Sequence, residues 1–237
     1  MKKTLLFYSI FFFCLLIFQR ASGFIIKVLL ANAISPYDYG LITMVALSIP
    51  GMLQIITNLN FYEMLSHSTE GKKYFGFSVV FGLSMVIIVS IILFIFNKEF
   101  FTYLNIPTEQ SNFLIVMIII ALFAQSIIMD FSGLFTGLKF YSRPAILMSL
   151  PTFLRLVMVA ALMILQIYSF EIIILVFTLS SAVPFIFLLG TKKYRQFLPL
   201  IKNIQIPPKP IFIFGLAVFF INGFSYVDNK ISVLWIF

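Results

Sequence analysis

Six ionisable residues lie inside long apolar runs of this sequence, where charged side chains are rare. They are four cations and two carboxylates: Arg20, Lys27, Asp130, Arg155, Asp228 and Lys230. Each costs about 2.5–3.5 kcal/mol at the centre of a bilayer, so we expect them to face an aqueous cavity, to pair, or to snorkel to an interface. Cations around such a cavity favour an anionic ligand, and the planar guanidinium of arginine can bind a phosphate through two hydrogen bonds.

Helical spacing places several of these residues on common faces. Arg20, Gly23 and Lys27 recur at i, i+3 and i+7, so they share one stripe on which the glycine leaves room for a close neighbour or a ligand. In a later run, Thr152, Arg155 and Gln166 are expected to share a face. Two further stripes combine small and polar residues: Ser126, Asp130, Gly133 and Gly137, and then Asn222, Ser225, Asn229 and Ser232 beside Asp228.

These six ionisable residues fall into two groups with different predicted roles. We predict that Arg20, Lys27 and Arg155 bind the anionic part of a substrate in the cavity. The other three are predicted to pair charges or to couple transport to an ion: Asp130, Asp228 and Lys230. Two alternatives stay open, because Lys27 and Lys230 could snorkel to the outer interface and Asp130 could pair with Lys139 or Arg143.

The elements that position these residues must be membrane helices. Of 237 residues, 62% are hydrophobic and 10% charged, and the mean hydropathy is +1.11. A soluble domain carries roughly 25% charged residues, so this composition excludes a soluble enzyme, a disordered chain and a coiled coil. The apolar runs are unbroken, which is not typical of an outer-membrane barrel. We predict an all-α, polytopic membrane protein of about seven spans: 5–33, 41–61, 75–96, 112–137, 145–167, 171–190 and 211–237.

The basic residues predict the orientation of the spans. The net charge of +8 does not indicate a nucleic-acid partner, since the sixteen Lys and Arg residues punctuate the apolar runs instead of forming one basic face. With a cytoplasmic N-terminus, Lys98 alone falls in an outer loop and eleven fall inside: Lys2, Lys3, Lys72, Lys73, Lys139, Arg143, Lys192, Lys193, Arg195, Lys202 and Lys209. This asymmetry follows the positive-inside rule. We therefore predict a multi-pass protein of the cytoplasmic (inner) membrane.

The residues that most enzymes need are sparse. Cys14 is the single cysteine, inside an apolar run, and His67 is the single histidine, in a short predicted loop. No HExxH, GxSxG or phosphate-binding glycine loop occurs. General acid–base and nucleophilic catalysis depend on such groups. We predict no enzymatic activity, no cofactor and no metal.

The first predicted helix and the loop after it carry a recognisable pattern. It consists of an arginine, a Gly-Phe, a Leu-Leu-Ala and a Ser-Pro-x-x-Tyr-Gly turn: Arg20, Gly23-Phe24, Leu29-Leu30-Ala31 and Ser35–Gly40. This pattern resembles the opening of the polysaccharide-biosynthesis flippases (Wzx-type, O-antigen exporters), in the same superfamily as the multidrug extruders. The stretch from Gly133 to Leu165 resembles their fourth-to-fifth helix passage, and Asp228 matches an acidic position in their seventh helix.

The resemblance implies a fold of two lobes around a cavity that opens alternately to each side. Residues 1–190 would form a six-helix N-terminal lobe, 191–210 a basic, Pro-containing cytoplasmic bridge, and 211–237 the first helix of a truncated second lobe. The implied function is flipping of a lipid-linked oligosaccharide, with its polyprenyl diphosphate at Arg20, Lys27 and Arg155. The implied partners are that substrate, membrane lipid, and either a missing C-terminal half or a second copy. The alternatives are an inactive fragment, a multidrug-extruder-like exporter, and a membrane-embedded glycan-processing enzyme.

Overall fold

The structure is a computed structural model that describes residues 2–58, 71–103, 111–217 and 220–221. Over these residues the chain forms helices and connecting segments and no strand, which confirms the predicted all-α class. Five of the helices are long and apolar enough to cross a membrane: Phe13–Ala33, Lys72–Ile95, Ser111–Gly137, Ser142–Ile164 and Phe170–Gly190. The protein is therefore a multi-pass helical membrane protein.

The helices follow one another with short connections. Their bounds are α1 (Lys2–Ala33), α2 (Pro36–Thr43), a π-helical segment (Met44–Ser48), α3 (Ile49–Asn58), α4 (Gly71–Ile95), α5 (Asn97–Tyr103), α6 (Ser111–Gly137), α7 (Ser142–Ile164), α8 (Phe170–Gly190), α9 (Lys192–Arg195) and a 3₁₀ segment (Leu198–Lys202). A further helix covers 209–217. The predicted bridge over 191–210 thus contains two short helical pieces, followed by a stretch without regular secondary structure at 203–208. The division into two lobes remains a prediction.

The second predicted span differs most from its expected form. The chain is helical without interruption from Pro36 to Asn58, about 35 Å at 1.5 Å per residue, but the π-helical segment divides it. The predicted Ser-Pro-x-x-Tyr-Gly turn is the start of this helix. Ser35 caps it by accepting from the Asp38 amide at 3.1 Å, and Pro36 occupies the first turn. Gly40 is helical and has no positive φ, so the motif forms the first turns of a helix instead of the predicted turn.

The bundle is built around α6, which packs against α3, α4, α7 and α8, while α1 packs mainly on α7. Its interior divides into two apolar clusters along the bundle. The cluster at the end of the bundle that carries Phe101 of α5 is called the outer cluster, after the predicted orientation, and the cluster at the other end the inner cluster. The outer cluster includes Leu114, Ile118 and Leu122 of α6 and Ile173 and Phe177 of α8. The inner cluster includes Ile127 to Phe135 of α6 and Leu188 of α8. Buried polar residues lie between the two clusters along these helices and α7: Ser126, Arg155, Thr178, Ser180 and Ser181.

The predicted bridge packs closely against the inner end of the bundle. The 3₁₀ segment lies on α4 at Gly76, where an added Cβ would lie 2.8 Å from Ile201 O and 2.5 Å from Asn203 O. Arg143 of α7 lies 4.1 Å from the ring centroid of Phe140 and also faces three further rings: Phe135, Tyr194 and Phe197. Such cation–π contacts join the bridge to the ends of α6 and α7.

Candidate anion-binding cavity

A cavity of about 470 Å³ lies between α1, the α2–π segment, α7 and α8. All four of these elements supply its walls, so the cavity depends on the tertiary fold and not on one helix. Its lining combines three cations with polar and apolar groups: Leu16, Gln19, Arg20, Gly23, Phe24, Ile26, Lys27, Leu30, Tyr39, Thr43, Leu47, Thr152, Arg155 and Phe177. The structure thus brings together all three residues that the sequence predicted as substrate-binding, from helices far apart in the chain.

The α1 stripe faces this cavity as its spacing predicted. Arg20, Gly23 and Lys27 all line it, and nothing lies within 4 Å of a Cβ placed at Gly23. The room at the glycine therefore belongs to the cavity and is not filled by a neighbouring helix. Arg20 and Lys27 are both exposed. Because their long side chains are not packed in, they can move to meet a ligand.

Arg155 contributes a fixed cation at the back of the cavity. It is 9% exposed, and its Nε and Nη2 donate to Ser180 Oγ at 3.3 Å and Ser181 Oγ at 3.2 Å. The guanidinium carbon also lies 4.5 Å from the ring centroid of Phe177. Both serines donate their own protons to the Phe177 carbonyl, at 2.7 and 3.1 Å, which leaves their oxygens as acceptors. The guanidinium is therefore held in place by neutral groups.

The sequence did not identify these partners of Arg155. The only signal is the polar sequence Thr178-Leu-Ser180-Ser181 within an otherwise apolar run. Pro184 follows one turn later and cannot donate a backbone hydrogen bond to the Ser180 carbonyl. The prediction that Gln166 shares the face of Thr152 and Arg155 is wrong. The helix α7 ends at Ile164, and Gln166 adopts a left-handed conformation with φ of 57°.

The π-helical segment borders the same cavity. Thr43, which directly precedes the segment, and Leu47, which lies within it, both line the cavity. A π turn inserts an extra residue into a helix and is found frequently at functional sites. The extra residue shifts the helical register between the part of the second predicted span before Met44 and the part after Ser48.

The cavity is positively charged within the described part of the chain, because its lining includes three cations and no carboxylate. A buried, positively charged arginine with only hydroxyl and ring partners lacks full compensation for the water it has lost. An anion entering the cavity would supply that compensation. The apolar walls from Leu16, Phe24 and Leu47 would suit a ligand that is anionic at one end and apolar at the other.

The remaining predicted residues have different positions. Asp130 is buried away from the cavity and accepts from Ser78 Oγ at 2.5 Å. Its predicted pairing with Lys139 or Arg143 does not form, because Lys139 is exposed at the end of α6 and Arg143 is among aromatic rings. Asp228, Lys230 and the polar stripe from Asn222 to Ser232 lie outside the described residues. Their predicted roles stay predictions.

Comparisons of the chain with protein-family models, curated proteins and solved structures gave no match. The chemistry of the cavity is therefore the basis on which a function can be inferred. That chemistry is three cations next to apolar surface inside a membrane-spanning helical bundle, an arrangement that can bind an anion.

Proposed function

We propose that this chain belongs to an exporter that flips a lipid-linked oligosaccharide across the cytoplasmic membrane, with the diphosphate bound in the cavity. The observation that supports it is the convergence of Arg20, Lys27 and Arg155 on one cavity inside a helical membrane bundle. A diphosphate carries several negative charges on oxygens that accept hydrogen bonds, which matches fixed and mobile cations together. The resemblance of the first-helix motif to polysaccharide flippases is consistent with this ligand.

Other lining groups suit the remaining parts of such a ligand. Leu16, Phe24 and Leu47 offer apolar contact to the first units of a polyprenyl chain. Gln19 and Thr152 offer hydrogen-bond donors and acceptors of the kind that sugar hydroxyls need. The lipid tail would stay in the bilayer while the saccharide crosses through the cavity.

Helix α1 is suited to move during such a cycle. In its membrane-spanning stretch 17% of the residues are buried, against 56% in that of α6. The helix packs mainly on α7. A helix most of whose residues are not buried can shift at a lower free-energy cost than the central α6. We infer that α1 is the wall through which the lipid-linked substrate reaches Arg155.

The orientation belongs to the same proposal. The N-terminus and the segment 191–210 would lie in the cytoplasm, and Lys98 of α5 would lie outside. This arrangement follows from the distribution of lysine and arginine.

A transport assay tests the proposal directly. The full chain is reconstituted into liposomes with a fluorescent polyprenyl-diphosphate saccharide, and flipping is measured as the label lost to a membrane-impermeant quencher. We expect flipping by the natural sequence, and a reduction of about tenfold or more in the Arg20→Gln/Arg155→Gln double variant, since charged hydrogen bonds contribute about 1.5–3 kcal/mol each. Lys98→Gln, outside the cavity, is the matched control. Equal flipping by the double variant and the control would contradict the proposal.

The same liposomes distinguish the alternative of a multidrug-extruder-like exporter. A site for cationic drugs would require acidic or aromatic groups, and the cavity lining includes no carboxylate among the described residues. We therefore expect no transport of tetraphenylphosphonium. Its transport without that of the diphosphate lipid would favour the alternative.

A further inference from the structure

Asp130 is a buried carboxyl group that the anion cavity does not use. It lies in the inner half of α6 and is 2% exposed. Its Oδ1 accepts from Ser78 Oγ of α4 at 2.5 Å, and its Oδ2 is buried without a hydrogen-bond partner among the described residues. The hydrogen bond from the Ser78 hydroxyl to Oδ1 fixes the carboxyl group in place, and Oδ2 remains able to bind a proton or a cation.

The surroundings of Asp130 are apolar. Phe75 of α4 lies one turn from Ser78, and Phe131 follows Asp130; the two ring centroids are 5.0 Å apart with the planes at 80°. Both rings belong to the inner cluster, as do Val79 and Ile127. A carboxylate held there without a counter-charge would be strongly disfavoured. An oxygen that is buried and unpartnered must therefore acquire a cation or a proton whenever water is excluded.

No nearby element supplies that cation within the described chain. The helices packed against α6 carry these ionisable groups: Lys72, Lys73 and Tyr74 of α4, Lys98, Glu99 and Tyr103 of α5, Arg143 and Arg155 of α7, and Glu171 of α8. The three groups of α5 are exposed. The described residues of α3 carry none. Arg155 is hydrogen-bonded to serines, Arg143 faces aromatic rings, and the two lysines are exposed at the end of α4. Among the described residues, the one side-chain hydrogen bond of Asp130 comes from Ser78.

The oxygen count favours a proton over a metal ion. Asp130 and Ser78 together offer three oxygens, whereas hard metal cations take about six or more. No group of three or more acidic, histidine or cysteine side chains occurs in the part of the chain that is described. A proton needs only Oδ2, where it forms one O–H bond and converts the carboxylate to a neutral acid.

We propose that Asp130, oriented by Ser78, is the proton-binding site through which a proton gradient drives this exporter. Oδ2 takes up one proton from water on one side and releases it to water on the other side when the bundle rearranges. No other bond forms or breaks. The coupling role rests on the proposed function, whereas the presence of a protonated carboxyl group does not.

Infrared difference spectroscopy tests the site without transport. We expect a carbonyl stretch of a protonated carboxylic acid that shifts in D₂O, is lost in Asp130→Asn, and changes frequency in Ser78→Ala. Ser84→Ala is the matched control, since Ser84 is exposed on the same helix and donates only to the Val80 carbonyl at 2.8 Å. Glu99→Gln controls for loss of an exposed acid. A spectrum of the natural sequence without this band at any pH would overturn the proposal.

Flipping in liposomes with and without an imposed pH gradient tests the coupling. We expect the gradient to accelerate the natural sequence severalfold and to leave Asp130→Asn, which retains the shape of the side chain, at its rate without a gradient. Asp130→Glu keeps a protonatable group and should retain part of the acceleration. An equal response of Asp130→Asn, or acceleration by a sodium gradient alone, would overturn the proposal. Absence of flipping under every condition would refute the proposed function and the coupling, while the infrared band would still report the proton site.

Discussion

Arg155 of α7 donates from Nη2 to Ser181 Oγ of α8 across 3.2 Å, and from Nε to Ser180. The serines accept because each has given its own proton to the Phe177 carbonyl. A cation at the polar layer between two apolar clusters is thereby oriented without being neutralised. The positive charge remains available to whatever occupies the cavity.

Removal of one acceptor should destabilise this arrangement. We expect Ser181→Ala to lower the free energy of unfolding by about 0.6–2 kcal/mol. Hydrogen bonds between membrane helices contribute about 0.6 kcal/mol on average. Bonds to a charged group such as Arg155 contribute more, which sets the upper figure. Thermal unfolding in detergent measures the change. Ser90→Ala is the control, since Ser90 donates only to Val86 O of its own helix. Equal unfolding temperatures for the two variants would contradict the prediction.

The cavity cations should contribute unequally to ligand binding. For farnesyl diphosphate, followed by titration calorimetry, we expect Arg155→Gln to raise Kd by about 10- to 100-fold, because a buried charged group loses about 1.5–3 kcal/mol of interaction. Arg20→Gln and Lys27→Gln, both exposed, should each raise it by about two- to fivefold, since solvent screens exposed charges. Lys98→Gln should bind as the natural sequence does. Weakening by that control to the same extent would argue against a specific site.

The close contact at Gly76 should hold the segment 191–210 on α4. Gly76→Ala places a methyl group within 3 Å of three backbone carbonyls, and backbone cannot move aside as a flexible side chain can. We expect a destabilisation of about 1–3 kcal/mol and faster trypsin cleavage after Arg195 and Lys202. Gly190→Ala has open space at the same atom and is the matched control. Unchanged cleavage in Gly76→Ala would show that the segment is not held there.

The docking of Tyr194 should weaken in strong alkali. Burial raises the pKa of Tyr194 above its usual value near 10, and the charge of Arg143 partly opposes that rise. The folded chain holds the phenol proton more tightly than the unfolded chain, so this contribution is full below pH of about 10 and is lost as pH rises above it. We expect the unfolding temperature to fall less steeply above pH of about 10 in Tyr194→Phe. Parallel curves would refute the prediction, and Arg143→Leu should raise the pKa of Tyr194 further.

The orientation is open to a simple test. Reporters inserted after Lys98 and after Lys193 should lie on opposite sides of the membrane, with alkaline phosphatase active only at the first site and a fluorescent protein bright only at the second. The basis is the distribution of lysine and arginine. Activity of both reporters on the same side would contradict the topology.

Much of the fold is predictable from composition and periodicity. Five of the predicted spans coincide with long helices within a few residues, because unbroken apolar runs can satisfy their backbone groups in lipid only as helices. The second span is less predictable. Its start at Pro36 depends on capping by Ser35, and its π-helical segment has no compositional signature. Just after the ends of α6 and α7, Lys139 and Gln166 adopt left-handed backbone conformations. Glycine is the usual residue at such positions, so the sequence does not predict them.

The site divides in the same way. Composition and periodicity identify the unusual residues, since an ionisable group in an apolar run is costly in any membrane fold, and helical spacing places Arg20 and Lys27 on one face. That Arg155 lies in the same cavity and Asp130 does not depends on how the helices pack. Helical periodicity relates residues within a helix, whereas the packing of α1 on α7 brings Arg155 to the α1 stripe. Contacts between helices likewise determine that Arg155 donates hydrogen bonds to neutral serines and that Asp130 accepts one from the Ser78 hydroxyl.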